Sequence, residues 1–517
     1  MSNLSELLPS GGGQNALNFT ATGTLSNGAI VGLKSDGTVA VLDPDAVGSP
    51  ADFPSNYNVQ LAAACYDSIR DVVHVAYKDL GTTYVTHSAG SISGSTITWG
   101  TKSIVASENP KDIDIAMNES IQFPIVAFCQ SSGGNVKVRS GSGGSGTTMN
   151  WNGNLLVVQY GDNNNCMIVP NPPNSDSSSA ETCIVFNTQS SGRAYVAALT
   201  TTSGASTSIR LGPSTLAYVA NTHFLPVGLI YDATVQSQIC VLNQVNYNNA
   251  YQGCQAHQIN IASTQINFST GATIGTAFGA SGTTCDESLS SNTRRMATSG
   301  NGKPVITGAF KEGSGGQNTL RAYVITPNGT SQAPSIASPV DMLPGVTGNV
   351  LYGTNTVYDS NASLFVTVVG WNGGSNPLYA YVLTSTLSGT TFTVNSGITS
   401  LASQNIYYDA ITATYSDHTN NTVITSNQNP TTAYRGVTFA VGTLNVDKLI
   451  GITAQAISNG ASGTVNLLGG INESQSNLTP GTDYYVDAST GQLTATSSGN
   501  TFIGTAVSDT TLNIKDL

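Results

Sequence analysis

Charge is scarce in this chain. Of 517 residues, 9% are Asp, Glu, Lys or Arg, against about 25% in an average globular protein. Lys and Arg number 17 and Asp and Glu 29, for a net charge of −12, and no basic run exceeds Arg294-Arg295. Tracking a phosphate backbone needs clustered Lys and Arg, so no nucleic-acid partner is expected. No stretch of about 18 apolar residues occurs either, and no membrane insertion is expected. The first 14 residues lack the basic and apolar regions of a secretory signal, which reads as a polypeptide made and assembled in a cytoplasm.

Chemical motifs are equally sparse. No Cys-x-x-Cys occurs among Cys65, Cys129, Cys166, Cys183, Cys240, Cys254 and Cys285, so neither a zinc nor a redox motif is expected. Most of them read as small buried apolar side chains. Cys240 and Cys254 are spaced to face each other across one hairpin, although spacing alone establishes no disulfide. His74, His87, His223, His257 and His418 form no HxH, HExxH or HxxxH, and His74 reads as a packed or surface residue. No GxSxG elbow, P-loop or GxGxxG is present. No cofactor, metal or catalytic residue is assigned.

What is present is short-period strand pattern. Hydrophobic residues make up 39% of the chain, with Val, Ile and Thr in brief alternating runs between polar turns. This is folded β-protein rather than disorder. A Tyr-Asp pair recurs at Tyr66-Asp67, Tyr231-Asp232, Tyr358-Asp359 and Tyr408-Asp409. Degenerate versions at Met117-Asn118, Asn174 and Ser299-Gly300 fill the gaps, giving seven units. After each turn come two or three short strands, as in Val73–Tyr77, Tyr84–His87 and Thr96–Trp99, and an apolar stretch precedes the next turn. Four short antiparallel strands per unit is the grammar of a β-propeller blade. Asp67, Asp232, Asp359 and Asp409 read as structural turn residues, since Asp bonds the backbone two residues on. Their tyrosines read as packing between blades. The seventh unit lacks a fourth strand, so either residues 44–60 supply it or the ring closes without a clasp.

The two chain ends correspond to each other. Asn27-Gly28 through Asp36-Gly37-Thr38-Val39 matches Pro480-Gly481 through Thr490-Gly491-Gln492-Leu493, and Leu449–Ala454 matches Phe502–Val507. The expected organisation is therefore an all-β chain: a β-propeller of seven four-stranded blades (44–447) inserted into a small β-barrel or sandwich domain built from 17–43 and 448–517. Residues 1–16, with Leu4, Leu7 and Leu8 before Ser10-Gly11-Gly12-Gly13, read either as a frayed terminus or as an anchor peptide on a glycine tether.

Candidate sites are few. The loop Asn246, Tyr247, Asn248, Asn249 and Tyr251 offers rings and amides suited to sugars, or is an ordinary surface loop. Arg193, Arg321 and Arg435 recur at comparable places, each opening the second strand of its unit, and read as repeat features. Asp112 with Asp114, and Asp286 with Glu287, are close in sequence, but glycoside hydrolysis needs two carboxyls facing each other across a cleft, and no SxDxGxxW box of the sialidase kind occurs.

Residues 1–14 followed by GTLSNGAIVGLKSDGTV (23–39), with IGITAQAISNGASGTVNLLGGI (450–471), LTPGTDYYVDASTGQLTA (478–495) and FIGTAVSDTTLNIKDL (502–517), resemble virion structural proteins of tailed bacteriophages, especially cyanophages. Units two, three and five depart from the Tyr-Asp pattern. The resemblance implies a non-enzymatic virion appendage, tail-fibre-like or capsid-attached, with portal, tail or capsid proteins as partners. Host-surface adhesion through the propeller, with an envelope glycan as ligand, is the expected work. A propeller-type polysaccharide-degrading enzyme and a purely structural capsid decoration are the alternatives. Fibre proteins in general suggest a homotrimer, which the residues themselves do not show.

Overall fold

The computed structural model describes residues 15–515 except 35–36, 43–44, 55–58, 119–120, 172–178, 189–192, 203–205, 219–221, 247–250, 262–264, 275–282, 286–295, 313–317, 344–350, 372–378, 396–398, 402–404, 407–410, 430–433, 443–448, 488–490 and 499. Every regular element among them is a strand. The chain forms two compact units, residues 47–439 and residues 1–46 with 440–517.

The larger unit is a β-propeller of seven consecutive antiparallel sheets. Blade one runs Val59–Asp67, Val72–Asp79, Tyr84–Ser93, with Thr96–Trp99 and Ser103–Ala106 sharing the fourth position. Blade two is Pro110–Asn118, Phe123–Gln130, Val136–Ser140, Leu156–Gln159. Blades three, four and six begin at Asn163–Asn171, Thr222–Asp232 and Leu351–Asp359, and blade five is centred on Val305–Glu312 and Asn318–Thr326. First strands of successive blades touch one another, and Thr412–Ser416 of blade seven touches Val59–Asp67 of blade one, so the ring is closed.

Strand alternation explains why blades stack. Successive side chains point to opposite faces, so each strand feeds two seams. In Val59–Asp67, Ala63 and Cys65 pack with Ile113, Ile115, Met117 and Phe128 of blade two. Ala62 and Ala64 pack instead with Val423 and Tyr434 of blade seven. A blade is apolar on both faces and needs a neighbour on each.

Blade seven takes its fourth strand from the other end of the propeller sequence. Ala51–Asp52 pairs with Tyr434–Ala440, with Arg435 opposite Asp52, and Gly48 N–H donates to Thr438 O (2.9 Å). Phe53, 4% exposed, is the wedge behind this strand. Its ring lies 3.8 Å from Trp99 and 4.7 Å from Tyr434, centroid to centroid.

The smaller unit is an internal duplication. One sheet has the order Ala16–Thr20, Ser462–Leu467, Leu449–Thr453, Ile30–Leu33, Val39–Val41. The other has the order Ile471–Asn472, Leu512–Ile514, Thr501–Ala506, Asp483–Val486, Leu493–Thr494. Numbered along the chain, both read first, fifth, fourth, second, third. The hydrogen bonds match as well. Gly28 N–H donates to Thr453 O (3.1 Å) and Gly481 N–H to Ala506 O (2.8 Å). Gly451 and Gly504 share a requirement: a Cβ would meet Asn466 O at 1.9 Å in one and Asn513 O at 2.2 Å in the other. A parallel bridge between Ala21 and Val39 closes the first sheet on itself, around Leu25, Val31, Ile450, Ile457 and Val465. Residues 42–448 connect the third and fourth strands of the first copy, where 495–500 suffice in the second.

Two outcomes are expected. Replacing residues 44–447 by the sequence of 495–500 yields a folded β-unit with a cooperative melt by circular dichroism; a molten product contradicts the duplication. Phe53→Ala destabilises the propeller by about 3–5 kcal/mol in chemical denaturation, more than Ile69→Ala, whose side chain is exposed.

Candidate functional site

The turns between first and second strands line one rim of the ring, and they are built alike. Ile69 N–H and Arg70 N–H donate to Asp67 Oδ1 at 3.0 Å. Thr234 N–H and Val235 N–H donate to Asp232 Oδ1 at 2.9 and 3.3 Å. Ala362 N–H donates to Asp359 Oδ1 at 2.8 Å. All three carboxylates are buried. Asp409 lies outside the described residues.

Each turn also grips the next blade. Arg70 Nη1 bonds Asp67 Oδ2 (2.8 Å) and the Gln122 carbonyl of blade two. The Thr298 hydroxyl of blade five donates to Asp232 Oδ2. Asn361 N–H donates to the Tyr415 hydroxyl of blade seven (3.3 Å). Burial pushes the Asp359 carboxyl up, against the bonds from Ala362 and Tyr415, and burial with Asp359 alongside pushes the Tyr415 phenol up to about 12. Of the paired tyrosines, Tyr66 packs in the seam between blades seven and one and Tyr358 in that between five and six.

The carboxylates Asp112 and Asp114 are committed to the backbone. Asp112 Oδ2 accepts from Cys166 N–H and Asp114 Oδ2 from Ile168 N–H, both at 2.8 Å, across the seam to blade three. They do not face each other over a cleft. Asp286 and Glu287 lie outside the described residues. The three recurrent arginines each meet the fourth strand of their own blade: Arg193 lies 4.9 Å over the Tyr218 ring, Arg321 Nε bonds Asp341 Oδ1 at 2.8 Å, and Arg435 bonds Asp52.

The second-to-third-strand loops lie at the opposite rim. Asn246 ends Ser237–Asn246 and Tyr251 starts Tyr251–Ile261, two paired strands of blade four. Tyr247, Asn248 and Asn249 between them lie outside the described residues, as do Leu4, Leu7 and Leu8. The six described cysteines are buried, and none of them is in a disulfide. Cys240 stands opposite His257, and Cys254 opposite Asn243. They pack into seams on opposite sides of blade four, so the expected facing pair is corrected: the register is three residues off.

The sequence reading missed a buried polar chain. His74 Nδ1 lies 2.9 Å from His87 Nε2, and His87 Nδ1 lies 3.3 Å from Ser103 Oγ. Trp151 Nε1–H donates to Ser103 Oγ (3.1 Å), and His74 Nε2 lies 3.5 Å from Asp67 Oδ2. Both histidines are buried. The signal was register: with Asp79 opposite Tyr84, His74 falls opposite Ala89 and His87 opposite Ala76, which makes the rings diagonal neighbours on one face. Among the described residues no group of His, Cys, Asp and Glu has metal-holding geometry.

The smaller unit holds a cleft of about 400 Å³ between its two sheets. Its lining is uncharged, including Ser26, Asn27, Ser474, Gln475 and Asn477, with Tyr484 behind. Gln475 Nε2 donates to Gly28 O (3.2 Å) and Asn472 Oδ1 (2.8 Å).

The Asp232 geometry carries a mutational expectation. Asp232→Ala removes the turn bonds and the one from Thr298 and costs about 1–3 kcal/mol in urea unfolding; Asp232→Asn, which keeps an acceptor for the turn, costs less.

A family model for phage cement proteins matches residues 415–513. No curated protein matches the chain. Among solved structures, α-L-arabinanase of Penicillium chrysogenum complexed with arabinobiose is 11% identical over 83% of this chain and 99% of that one, with a TM-score of 0.37. The Aleuria aurantia lectin, in complex with a fucosylated sugar, is 11% identical over 76% and 99%, with a TM-score of 0.37. An α-L-arabinofuranosidase of Fusarium graminearum is 8% identical over 82% and 99%, with a TM-score of 0.36. The cement-family match supports a phage virion structural protein.

Proposed function

We propose that this chain is an attached component of a phage virion. Its smaller unit engages other virion proteins, and its propeller is displayed for adhesion to the host surface. The observation that carries this reading is where the family match falls. Residues 415–513 take in the last strands of blade seven, Leu449–Thr453 and Ser462–Leu467 of the first duplicated sheet, and nearly all of the second. The similarity to cement proteins thus lies mainly on the smaller unit and leaves most of the propeller outside it. A capsid partner fits the family description best, and portal or tail attachment remains the other arrangement. Leu4, Leu7 and Leu8 are proposed to help the attachment, and a trimer is the proposed assembly.

Adhesion is supported by chemistry. A surface poor in charge and rich in Ser, Thr, Asn and Tyr suits weak polar contacts to a neutral glycan, which many copies on one particle strengthen through effective concentration. The proposed ligand segment remains the blade-four loop of Asn246, Tyr247, Asn248, Asn249 and Tyr251. The non-enzymatic reading is supported by the commitment of Asp112 and Asp114 to backbone amides.

The test uses phage carrying the chain with 44–447 replaced by 495–500. The shortened chain is expected in the particle at normal copy number, with host adsorption reduced at least tenfold. Normal adsorption would make the protein a decoration. Release of new reducing ends when the full chain is incubated with host envelope polysaccharide would make it an enzyme.

A further inference from the structure

The buried chain on blade one has a defined direction. Trp151 Nε1 can only donate, and the Asp67 carboxylate can only accept. With each imidazole neutral and carrying one hydrogen, the protons run one way: Trp151 donates to Ser103, Ser103 to His87 Nδ1, His87 Nε2–H to His74 Nδ1, and His74 Nε2–H to Asp67 Oδ2. The chain crosses blade one from its first strand to its fourth, on the face where Cys65, Ala76, Val85 and Val105 meet Ile113, Met117, Phe128 and Trp151 of blade two.

A first further proton fits only by reversing the middle of the chain: His74 Nδ1–H then donates to His87 Nε2 and His87 Nδ1–H to Ser103 Oγ, which also accepts from Trp151. A second would set two N–H groups against each other across 2.9 Å. The first already places a cation in the apolar seam, which costs several kcal/mol unless it is fully paired.

The surrounding charges supply that pair only in part. Asp67 Oδ2, 3.5 Å from His74 Nε2, is shared with Arg70, whose guanidinium also lies over Phe123 at 5.2 Å. Lys78 is on the same side of the strand as His74, and Lys102 beside Ser103 is held by Asp79 at 2.7 Å. The Cys65 thiol stands opposite His74 in the ladder. From blade two, Arg139 reaches across to the Val105 carbonyl, and Lys137 is paired with Glu108. Asp112 and Asp114 turn to blade three. The cations here oppose protonation, and the one facing carboxylate is already matched.

We propose that the Asp67–His74–His87–Ser103–Trp151 chain is an acid-released lock on the seam between blades one and two: it holds the ring while both imidazoles are neutral and opens this seam when they take up protons.

The direction of the titrations agrees. Burial first, with Arg70 adding to it, holds His74 below the ordinary histidine value despite Asp67, and burial with His74 alongside holds His87 well below it. For bases depressed in the folded state, the stabilisation is complete above the unfolded value of about 6.5 and is lost as pH falls below it towards the folded values. Two extra protons on the open form raise the opening equilibrium by up to about a hundredfold per pH unit in that window.

The test is hydrogen–deuterium exchange by mass spectrometry on the full chain, labelled at pH 7.5 or 5.0 with labelling times scaled for the pH dependence of intrinsic amide exchange. Protection is expected to fall at pH 5.0 in Ser103–Ala106 and Phe123–Gln130, and to be retained there in His74→Gln/His87→Gln. His257, buried in blade four with its ring bonded to Ser269 O at 3.2 Å, gives the control: His257→Gln leaves the seam response intact. Unchanged protection of the wild-type seam at pH 5.0 overturns the proposal, whether or not the double variant folds. An equal loss in a folded double variant overturns it as well.

Discussion

Closure of the ring is the constraint on which the propeller depends. A blade exposes two apolar faces, so an open row of seven would leave two of them in water. The contact of Thr412–Ser416 with Val59–Asp67 removes that cost, and the pairing of Ala51–Asp52 with Tyr434–Ala440 makes it durable. The last blade is finished by the segment that precedes the first, so the ring cannot open there without breaking a sheet. The Arg435–Asp52 contact shows how completely the borrowed strand substitutes for a local one. It stands where Arg321–Asp341 stands in blade five.

The seams away from the clasp are held differently. Small and branched side chains fill them, and polar devices fix their alignment. Asp112 and Asp114 offer carboxylates to backbone amides of blade three. The Asx turns reach neighbouring blades through Arg70, Thr298 and Tyr415. The seam between blades one and two carries the longest of these chains and the only one among them that passes through two imidazoles.

The fold was legible where the chemistry is local. Tyr-Asp turns announce themselves because an Asp side chain fixes the backbone two and three residues on. The blade grammar follows from strands of short, even spacing, and the correspondence of the chain ends came through because Gly28 and Gly481, and Gly451 and Gly504, meet backbone constraints that only glycine satisfies. The polar chain was hidden because it depends on register. His74 and His87 are neighbours only once Asp79 is known to face Tyr84, and Trp151 joins them from another blade. The Cys240–Cys254 expectation failed for the same reason, since a three-residue offset sends two side chains to opposite faces. The source of the seventh blade's last strand was open between two choices, because a strand as short as Ala51–Asp52 carries no periodicity of its own.

The duplicated sheets have a consequence for exchange of parts. An unstructured insert as long as 42–448 would cost roughly 4 kcal/mol more in closure entropy than a loop the size of 495–500. A closed ring whose entry and exit meet avoids that penalty, and they do meet: Gly442 N–H donates to Asp45 Oδ1 at 2.9 Å. To the sheets that carry it, the insert is thermodynamically equivalent to a short turn. Any body with adjacent ends could occupy the same socket, and recombination at these two points would trade one load for another without disturbing the carrier.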